Sequence, residues 1–260
     1  MNLKSKIVLA LLATSSAAFA QTAPAAPEVT YNVGVVSQYR YRGIAQTKGD
    51  AALQGGADYA NANGFYAGAW GSTIKWIKDA ANTGHAGETK GPVELDLYGG
   101  YKFEAAGLGF DVGYLRYQYL GNTLKNSTAT PAGPYVNANT DEVYGAATYG
   151  VTTLKYSYAA SDLFGYTNSN GSTYWDLSAT YDLGQGYSLV PHAGRQVVKN
   201  HDINSYTDVA LTLNKDLGDG LSASVAAIRT NRKGDGNFAS NLTSYDTAKN
   251  TLVVGVKYGF

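Results

Sequence analysis

The sequence predicts an all-β fold, an antiparallel up-and-down transmembrane β-barrel of about 12 strands. Three observations carry this expectation. Apolar and polar residues alternate with period two from residue 29 to the C-terminal end. The connections between the alternating segments fall into a short and a long class, and the two classes themselves alternate along the chain. No stretch approaches the ~20 apolar residues that a membrane helix needs.

The first residues have the pattern of an export signal. Lys4 and Lys6 precede an apolar run over residues 7–12, and Ala18-Phe19-Ala20 gives an A-x-A cleavage site before Gln21. The expected organisation is a signal peptide over 1–20, cleaved after Ala20, a short periplasmic segment over 21–28 and a barrel over 29–260. Loss of Lys4 and Lys6 turns 20 basic residues into 18, against 20 acidic ones, which leaves no basic surplus for nucleic acid. The chain has no cysteine, so an exported protein of this size must draw its stability from a closed sheet or a core. Thirty-one glycines and 22 tyrosines against one methionine suggest closely packed strands with amphipathic rings at an interface.

The alternation places strands at 29–42, 51–60, 64–74, 92–103, 108–119, 141–149, 152–159, 173–183, 187–197, 206–215, 221–230 and 249–260. In the first, Val29, Tyr31, Val33, Val35, Tyr39 and Tyr41 oppose Thr30, Asn32, Gln38, Arg40 and Arg42. In the fourth, Val93, Leu95, Leu97, Tyr101 and Phe103 oppose Glu94, Asp96, Tyr98 and Lys102. Tight connections at 61–63, 104–107, 150–151, 184–186 and 216–220 alternate with longer polar ones at 43–50, 75–91, 120–140, 160–172, 198–205 and 231–248. A Greek-key sandwich has no reason to sort its loops this way.

Leu252, Val254, Val256, Tyr258 and Phe260 share one face of the last strand, which ends on an aromatic. This resembles the terminal signal that bacterial outer-membrane barrels present to their assembly machinery, with Val256, Tyr258 and Phe260 as the recognised residues. The expected setting is therefore the outer membrane of a Gram-negative cell. Its lipid, its lipopolysaccharide and the barrel-assembly machinery are the expected partners. The oligomeric state is left open. Threading the chain this way puts Tyr31, Tyr59, Phe65, Tyr101, Phe103, Phe110, Tyr149, Tyr181, Tyr187, Tyr258 and Phe260 at the short-turn end. Tyr39, Tyr41, Tyr117, Tyr119, Tyr156, Tyr158 and Trp175 fall at the long-loop end. The two sets are the expected girdles of a lipid-facing band ~25 Å tall.

The stretch SQYRYRGIAQTKGDAALQGGADYANANGFYAGAWGS resembles the N-terminal hallmark of the TorF-type porins, small proteobacterial outer-membrane proteins long catalogued as conserved hypothetical. The matching pieces are residues 37–44, 53–59 and 64–72, followed by 94–101. The likeness is dense over 29–120 and looser afterwards. It implies a porin, and it carries no established substrate and no residues to transfer.

The opposite, polar faces carry Arg40, Arg42, Gln54, Asp58, Glu94, Asp96, Lys102, Asp111, Lys155, Asp176, Asp182, His192, Asp208 and Lys257. Interleaved charges of both signs on inward faces suit a narrow polar channel for small solutes or ions. They also suit a structural lumen in which they neutralise one another. Arg40 and Arg42, expected near Gln54 and Glu94 at the outer mouth, fit either an anion-attracting pair or a salt-bridge network with Glu94 or Asp96.

An enzyme is not expected. His85 and His201 fall in loops, His192 lacks the His-x-Ser arrangement of phospholipase barrels, and no two histidines have metal-ligand spacing. Asp235-Gly236-Asn237 lacks the further ligands of a calcium loop. No cofactor is expected. Glycines within strands, such as Gly34, Gly55-Gly56 and Gly99-Gly100, permit coiling or make room for a neighbour's side chain. Trp76, between lysines in a long loop, could close the mouth, touch lipopolysaccharide or cap the rim. The expected function is porin-like passive diffusion. The alternative is a structural or surface-interaction barrel with a plugged lumen, whose long loops bind lipopolysaccharide or a partner.

Overall fold

The computed structural model describes residues 27–79, 89–127, 135–232 and 246–260. The expected signal peptide, His85 and Asp235-Gly236-Asn237 lie outside the described residues. The strands are β1 (Glu28–Val36), β2 (Arg40–Tyr41), β3 (Ile44–Ala45), β4 (Ala52–Ala60), β5 (Phe65–Thr73), β6 (Val93–Ala105), β7 (Leu108–Leu120) and β8 (Thr140–Tyr149). They continue as β9 (Thr152–Ala159), β10 (Thr173–Ala179), β11 (Tyr181–Gly184), β12 (Tyr187–Val197), β13 (Tyr206–Gly218), β14 (Leu221–Thr230) and β15 (Thr251–Gly259). A single helical turn, α1 (Trp76–Asp79), lies in the second long loop.

β10 and β11 are one wall strand interrupted at Thr180, since both pair with β12. β1 pairs with β4 on one side and β15 on the other, which closes a 12-strand antiparallel barrel. β2 and β3 pair only with each other and stand apart from the wall.

The short turns follow from chain chirality. Ala106-Gly107, Gln185-Gly186 and Asp219-Gly220 each have two successive residues at positive φ, 52° and 77°, 53° and 76°, 50° and 82°. Two-residue hairpins of type I′ require this, because their twist matches that of the strands they join. Asp182 and Asp216 accept hydrogen bonds from the Gly184 and Gly218 amides, each at 2.8 Å, where the strand register shifts. Asp182 is therefore an exposed turn residue and not a lumen charge.

The two faces separate as the alternation predicts. Val29, Tyr31, Val33 and Val35 are exposed on the outside, as are Leu252, Val254 and Val256, while Gln54, Glu94, Asp176 and Asp208 are buried inside. The short-turn girdle is a ladder of contacting rings. Centroids lie 5.7 Å apart for Tyr31–Phe260, 4.7 Å for Phe65–Tyr101 and 5.1 Å for Phe103–Phe110. At the other end Tyr158 and Trp175 face outward, with Tyr156 against Trp175 at 4.6 Å.

Four residues expected in that outer girdle are inside instead. Tyr117 and Tyr119 are 2 % and 3 % exposed, because β7 puts Phe110, Val112 and Tyr114 outward and parity sends odd-numbered residues inward with Asp111. Tyr39 and Tyr41 leave the wall altogether. The first wall strand ends at Val36 rather than 42, and the chain then folds into the barrel.

The abundance of glycine and tyrosine has a common cause. Gly68 stands directly across from Tyr98, Gly100 from Tyr66, Gly113 from Tyr144 and Gly56 from Trp70. A Cβ at Gly68 would lie 2.5 Å from the Tyr98 ring, and one at Gly113 2.5 Å from the Tyr144 hydroxyl. The inward rings lie flat over bare backbone on the neighbouring strand, an arrangement that covers glycine and spares the bore. Gly100→Val would put Cβ 2.5 Å from the Val112 carbonyl oxygen, and we expect it to destabilise the folded barrel by about 1–3 kcal/mol. Gly145→Ala, where nothing lies within 4 Å, should stay within about 0.5 kcal/mol. Urea unfolding in detergent measures both, and equal stabilities would contradict the packing role of the glycines.

Candidate functional site: the lumen and its inward hairpin

The segment YRYRGIAQ forms a hairpin inside the mouth. Arg42 and Gly43, at φ 45° and 79°, are the central pair of the β2–β3 turn, again the type I′ signature. A Cβ at position 43 would lie 2.8 Å from Asp208 Cβ, so the turn touches the wall at β13. This is why the Tyr-Arg alternation stops at a glycine.

Holding an arginine at positive φ costs roughly 1 kcal/mol or more, and the contacts of Arg42 offset it. Its Nη1 and Nη2 donate to Glu142 Oε1 and Oε2 at 2.9 and 2.7 Å, a bidentate pair, and Nη1 also donates to Gln196 Oε1 at 2.8 Å. Its guanidinium lies 4.2 Å from the Tyr174 ring centroid. Tyr117 donates to the same Glu142 at 3.1 Å and is bonded to Tyr41 through the two hydroxyls. One side chain thus bridges β8 and β12, which are not neighbours in the wall.

Arg40 ties the other flank, donating from Nε to Gln38 Oε1 at 2.9 Å and from Nη1 to the carbonyls of Gly43 and Thr247 at 3.0 and 2.6 Å. Tyr39 donates to Glu94 Oε1 at 3.1 Å. The Gln46 carbonyl accepts the amides of Lys75 and Trp76 at 2.8 and 3.1 Å, joining the hairpin to α1. Trp76 is buried at the mouth, edge-on to Tyr119 at 5.4 Å. Val36, Ile77, Leu124, Tyr135, Leu163 and Tyr166 complete an apolar cluster around it. A cavity of about 50 Å³ lies among Tyr41, Trp76, Tyr119, Phe164, Tyr206 and Arg232.

Below the hairpin, His192 sits between two carboxylates, with Nε2 3.0 Å from Asp176 and Nδ1 3.5 Å from Asp208. Tyr174 donates to Asp208 at 3.0 Å and carries Arg42 on its ring, linking this cluster to the hairpin. Toward the short turns, Tyr66 donates to Asp111 at 2.6 Å and shares a hydrogen bond with Tyr144, while Tyr98 donates to Asp58. Lys102 and Lys155 stand over the Tyr66 and Tyr144 rings at 5.1 and 4.0 Å. Gln54 donates to Ser72 at 3.3 Å. Of the inner-face residues of this half, Asn32, Asp58, Lys102, Asp111, Lys155 and Lys257 are half-buried and the small Thr153, Ser222 and Ser224 are buried, whereas around the hairpin large charged side chains are buried too. The larger polar side chains of the short-turn half keep part of their surface accessible, whereas those around the hairpin do not.

Arg40 and Arg42 are thus inside near the mouth, as expected, but by entry of a loop and not as wall residues. The carboxylate of Arg42 is Glu142 rather than Glu94 or Asp96, and Gln54 bonds Ser72 instead. Glu142, Gln196 and Tyr174 were not singled out from the sequence. Strand parity held the signal for two of them: Tyr149 facing out forces Glu142 in, and Asp176 facing in carries Tyr174 with it. Nothing local marks Gln196 as the residue that an inserted loop would meet. His201 bonds the Thr167 carbonyl at 2.8 Å in the loops.

Residues 20–260 match a family model described as a bacterial protein of unknown function, Gcw_chp. The chain belongs to the Gcw_chp family. No curated protein matches it in sequence. Among solved structures it is similar to the KdgM porin, at 9% identity and a TM-score of 0.51, over 89% of this chain and 98% of that one. It is similar to the NanC porin at 12% identity and TM-score 0.51, over 89% and 99%. It is also similar to an outer-membrane channel from Pseudomonas putida F1 at 12% identity and TM-score 0.51, over 92% and 97%. At these identities the likeness is one of fold.

Replacing Arg42 by alanine leaves Glu142 buried beside Tyr117 without its cation, a change that typically costs about 3–5 kcal/mol unless the loop escapes to water. We expect escape. A cysteine placed at Ala45, which is 1 % exposed, should react slowly with a maleimide in an otherwise unaltered chain and at least tenfold faster with Arg42→Ala. Equal labelling rates would show that the pair does not hold the hairpin.

Proposed function

We propose that this protein is a porin-like outer-membrane channel for passive diffusion of small polar solutes or ions, constricted by the hairpin over 37–50. The observation that carries this reading is the asymmetry of the lumen. Its inner face is polar along its length, its larger polar side chains are partly accessible in the short-turn half, and the inserted hairpin with its neighbours buries those at the mouth. A purely structural barrel gains nothing from a solvated polar bore, while a diffusion channel requires one. The TorF-type resemblance over 29–120 and the porin names of the structural relatives support the same reading. Residues proposed to line the path are Gln54, Asp58, Glu94, Asp96, Lys102, Asp111, Lys155, Asp176, His192 and Asp208, with Arg40 and Arg42 at the constriction. Val256, Tyr258 and Phe260, exposed on the outside of β15, are proposed as the assembly signal.

A second reading has its own support. The apolar cluster around Trp76 and Ile77 packs the mouth as a soluble core would, which suits a plugged barrel with its loops turned to lipopolysaccharide or a partner. Planar-bilayer recording of the refolded protein separates the two. A channel gives discrete current steps, and Glu142→Gln, which weakens the hold on Arg42, raises the open fraction severalfold. Folded, inserted protein that stays silent with and without Glu142→Gln supports the plug.

A further inference from the structure

Among the described residues, Glu94 and Asp96 are lumen acids with no cation of the protein paired to them. Glu94 and Asp96 are successive inner-face residues of β6, 1 % and 9 % exposed. Glu94 spends one oxygen on the Tyr39 hydroxyl, while its Oε2 and Asp96 Oδ1 have no hydrogen-bond partner. Among the described residues neither acid forms an ion pair. The other principal lumen acids are engaged: Glu142 by Arg42, Asp176 and Asp208 by His192, Asp111 and Asp58 by tyrosines. Buried carboxylate oxygens left without a partner are costly, so the arrangement calls for a positive charge or a proton.

The surroundings are those of a cation box. Across from Glu94 are Ser72 on β5 and Tyr119 on β7, and across from Asp96 are Trp70 and Tyr117. All of these sit on the inner face. Tyr39 closes the top, edge-on to Trp70 at 5.6 Å. Ring faces attract weakly hydrated cations, and two carboxylates supply the charge. A hard divalent ion wants six or more oxygens or its own waters, and among the described residues no group of three His, Cys, Asp or Glu side chains could hold a metal.

We propose that Glu94 and Asp96, enclosed by Trp70, Tyr117, Tyr119 and Tyr39, form a binding site for one monovalent cation of the potassium, rubidium or ammonium class. Occupancy ties β6 to the hairpin through Tyr39, so the ion stabilises the closed mouth. The site requires no conduction, and its binding is measured in detergent, apart from any current.

The test uses the refolded full barrel in detergent at fixed ionic strength, with potassium or rubidium chloride exchanged against N-methylglucamine chloride, whose cation is too bulky to enter. The proposal predicts a melting temperature that rises and saturates with potassium, and about one rubidium ion retained per barrel in equilibrium dialysis. Glu94→Gln with Asp96→Asn abolishes both effects, whereas Asp182→Asn, at an exposed turn outside the lumen, preserves them. If the double variant does not fold, Asp96→Asn alone should weaken rubidium retention at least tenfold. Identical melting in potassium and N-methylglucamine, with no rubidium retained, overturns the proposal. So does melting that responds to pH but not to the cation, because the two acids would then be sharing a proton.

Discussion

The buried Arg42–Glu142 pair is the interaction on which the mouth of this barrel depends. A guanidinium cannot shed its charge, so its place inside the protein has to be built around it. Glu142 meets it bidentately, Gln196 takes a further hydrogen bond and Tyr174 lies beneath its plane. The pair is also positional. It joins a loop that follows β1 to β8 and β12 on other parts of the wall, and that reach is available only to a segment lying across the bore. Lining the same interior with apolar residues would stabilise a plug as well or better. A charged clasp instead holds the hairpin in one register.

The rest of the lumen works under a related constraint. A closed sheet removes its edges, but it traps a polar face that water must wet or side chains must satisfy. Here tyrosines do much of that service, because a ring can lie flat on glycine backbone while its hydroxyl serves a carboxylate. Gly68 with Tyr98 and Asp58, and Gly100 with Tyr66 and Asp111, are two instances of one device. The composition that looks odd in the sequence, rich in glycine and tyrosine, follows from it. Where the device ends, at the hairpin, the large charged side chains of the lining turn from half-buried to buried.

Most of the wall was legible in the sequence, since alternation and turn chemistry are local signals. The strands at 152–159, 187–197 and 221–230 end where the alternation placed them, and each X-Gly turn has the backbone its residues demand. What was not legible is where the chain leaves the wall. Residues 29–42 alternate except at Val36-Ser37, and that brief break does not by itself mark an exit from the wall that puts Val35 outside and Tyr39 inside. The inward turn is decided by distant partners, Glu142, Glu94 and Thr247, that periodicity cannot pair with it. Tyr117 and Tyr119 are a different case. Parity with Phe110 determined their face, and the attraction of rings to a membrane interface argued wrongly against it. Glu94, Asp96, Asp176 and Asp208 face inward, as the alternation places them, while Asp182 does not, and which inner acids lack a cation emerges only when the barrel closes.

Movement of the hairpin over a polar bore is the central proposal, and a reversible lock tests it most directly. The Ala45 amide is bonded to the Thr247 carbonyl at 3.0 Å, and the chain has no cysteine of its own. Cysteines at 45 and 247 would therefore form the sole disulfide, pinning the hairpin to the last long loop. Single-channel current should vanish on oxidation and return on reduction in the same bilayer. Current that is indifferent to the redox state of a verified disulfide would contradict the account, as would silence in both states from protein shown to be folded and inserted.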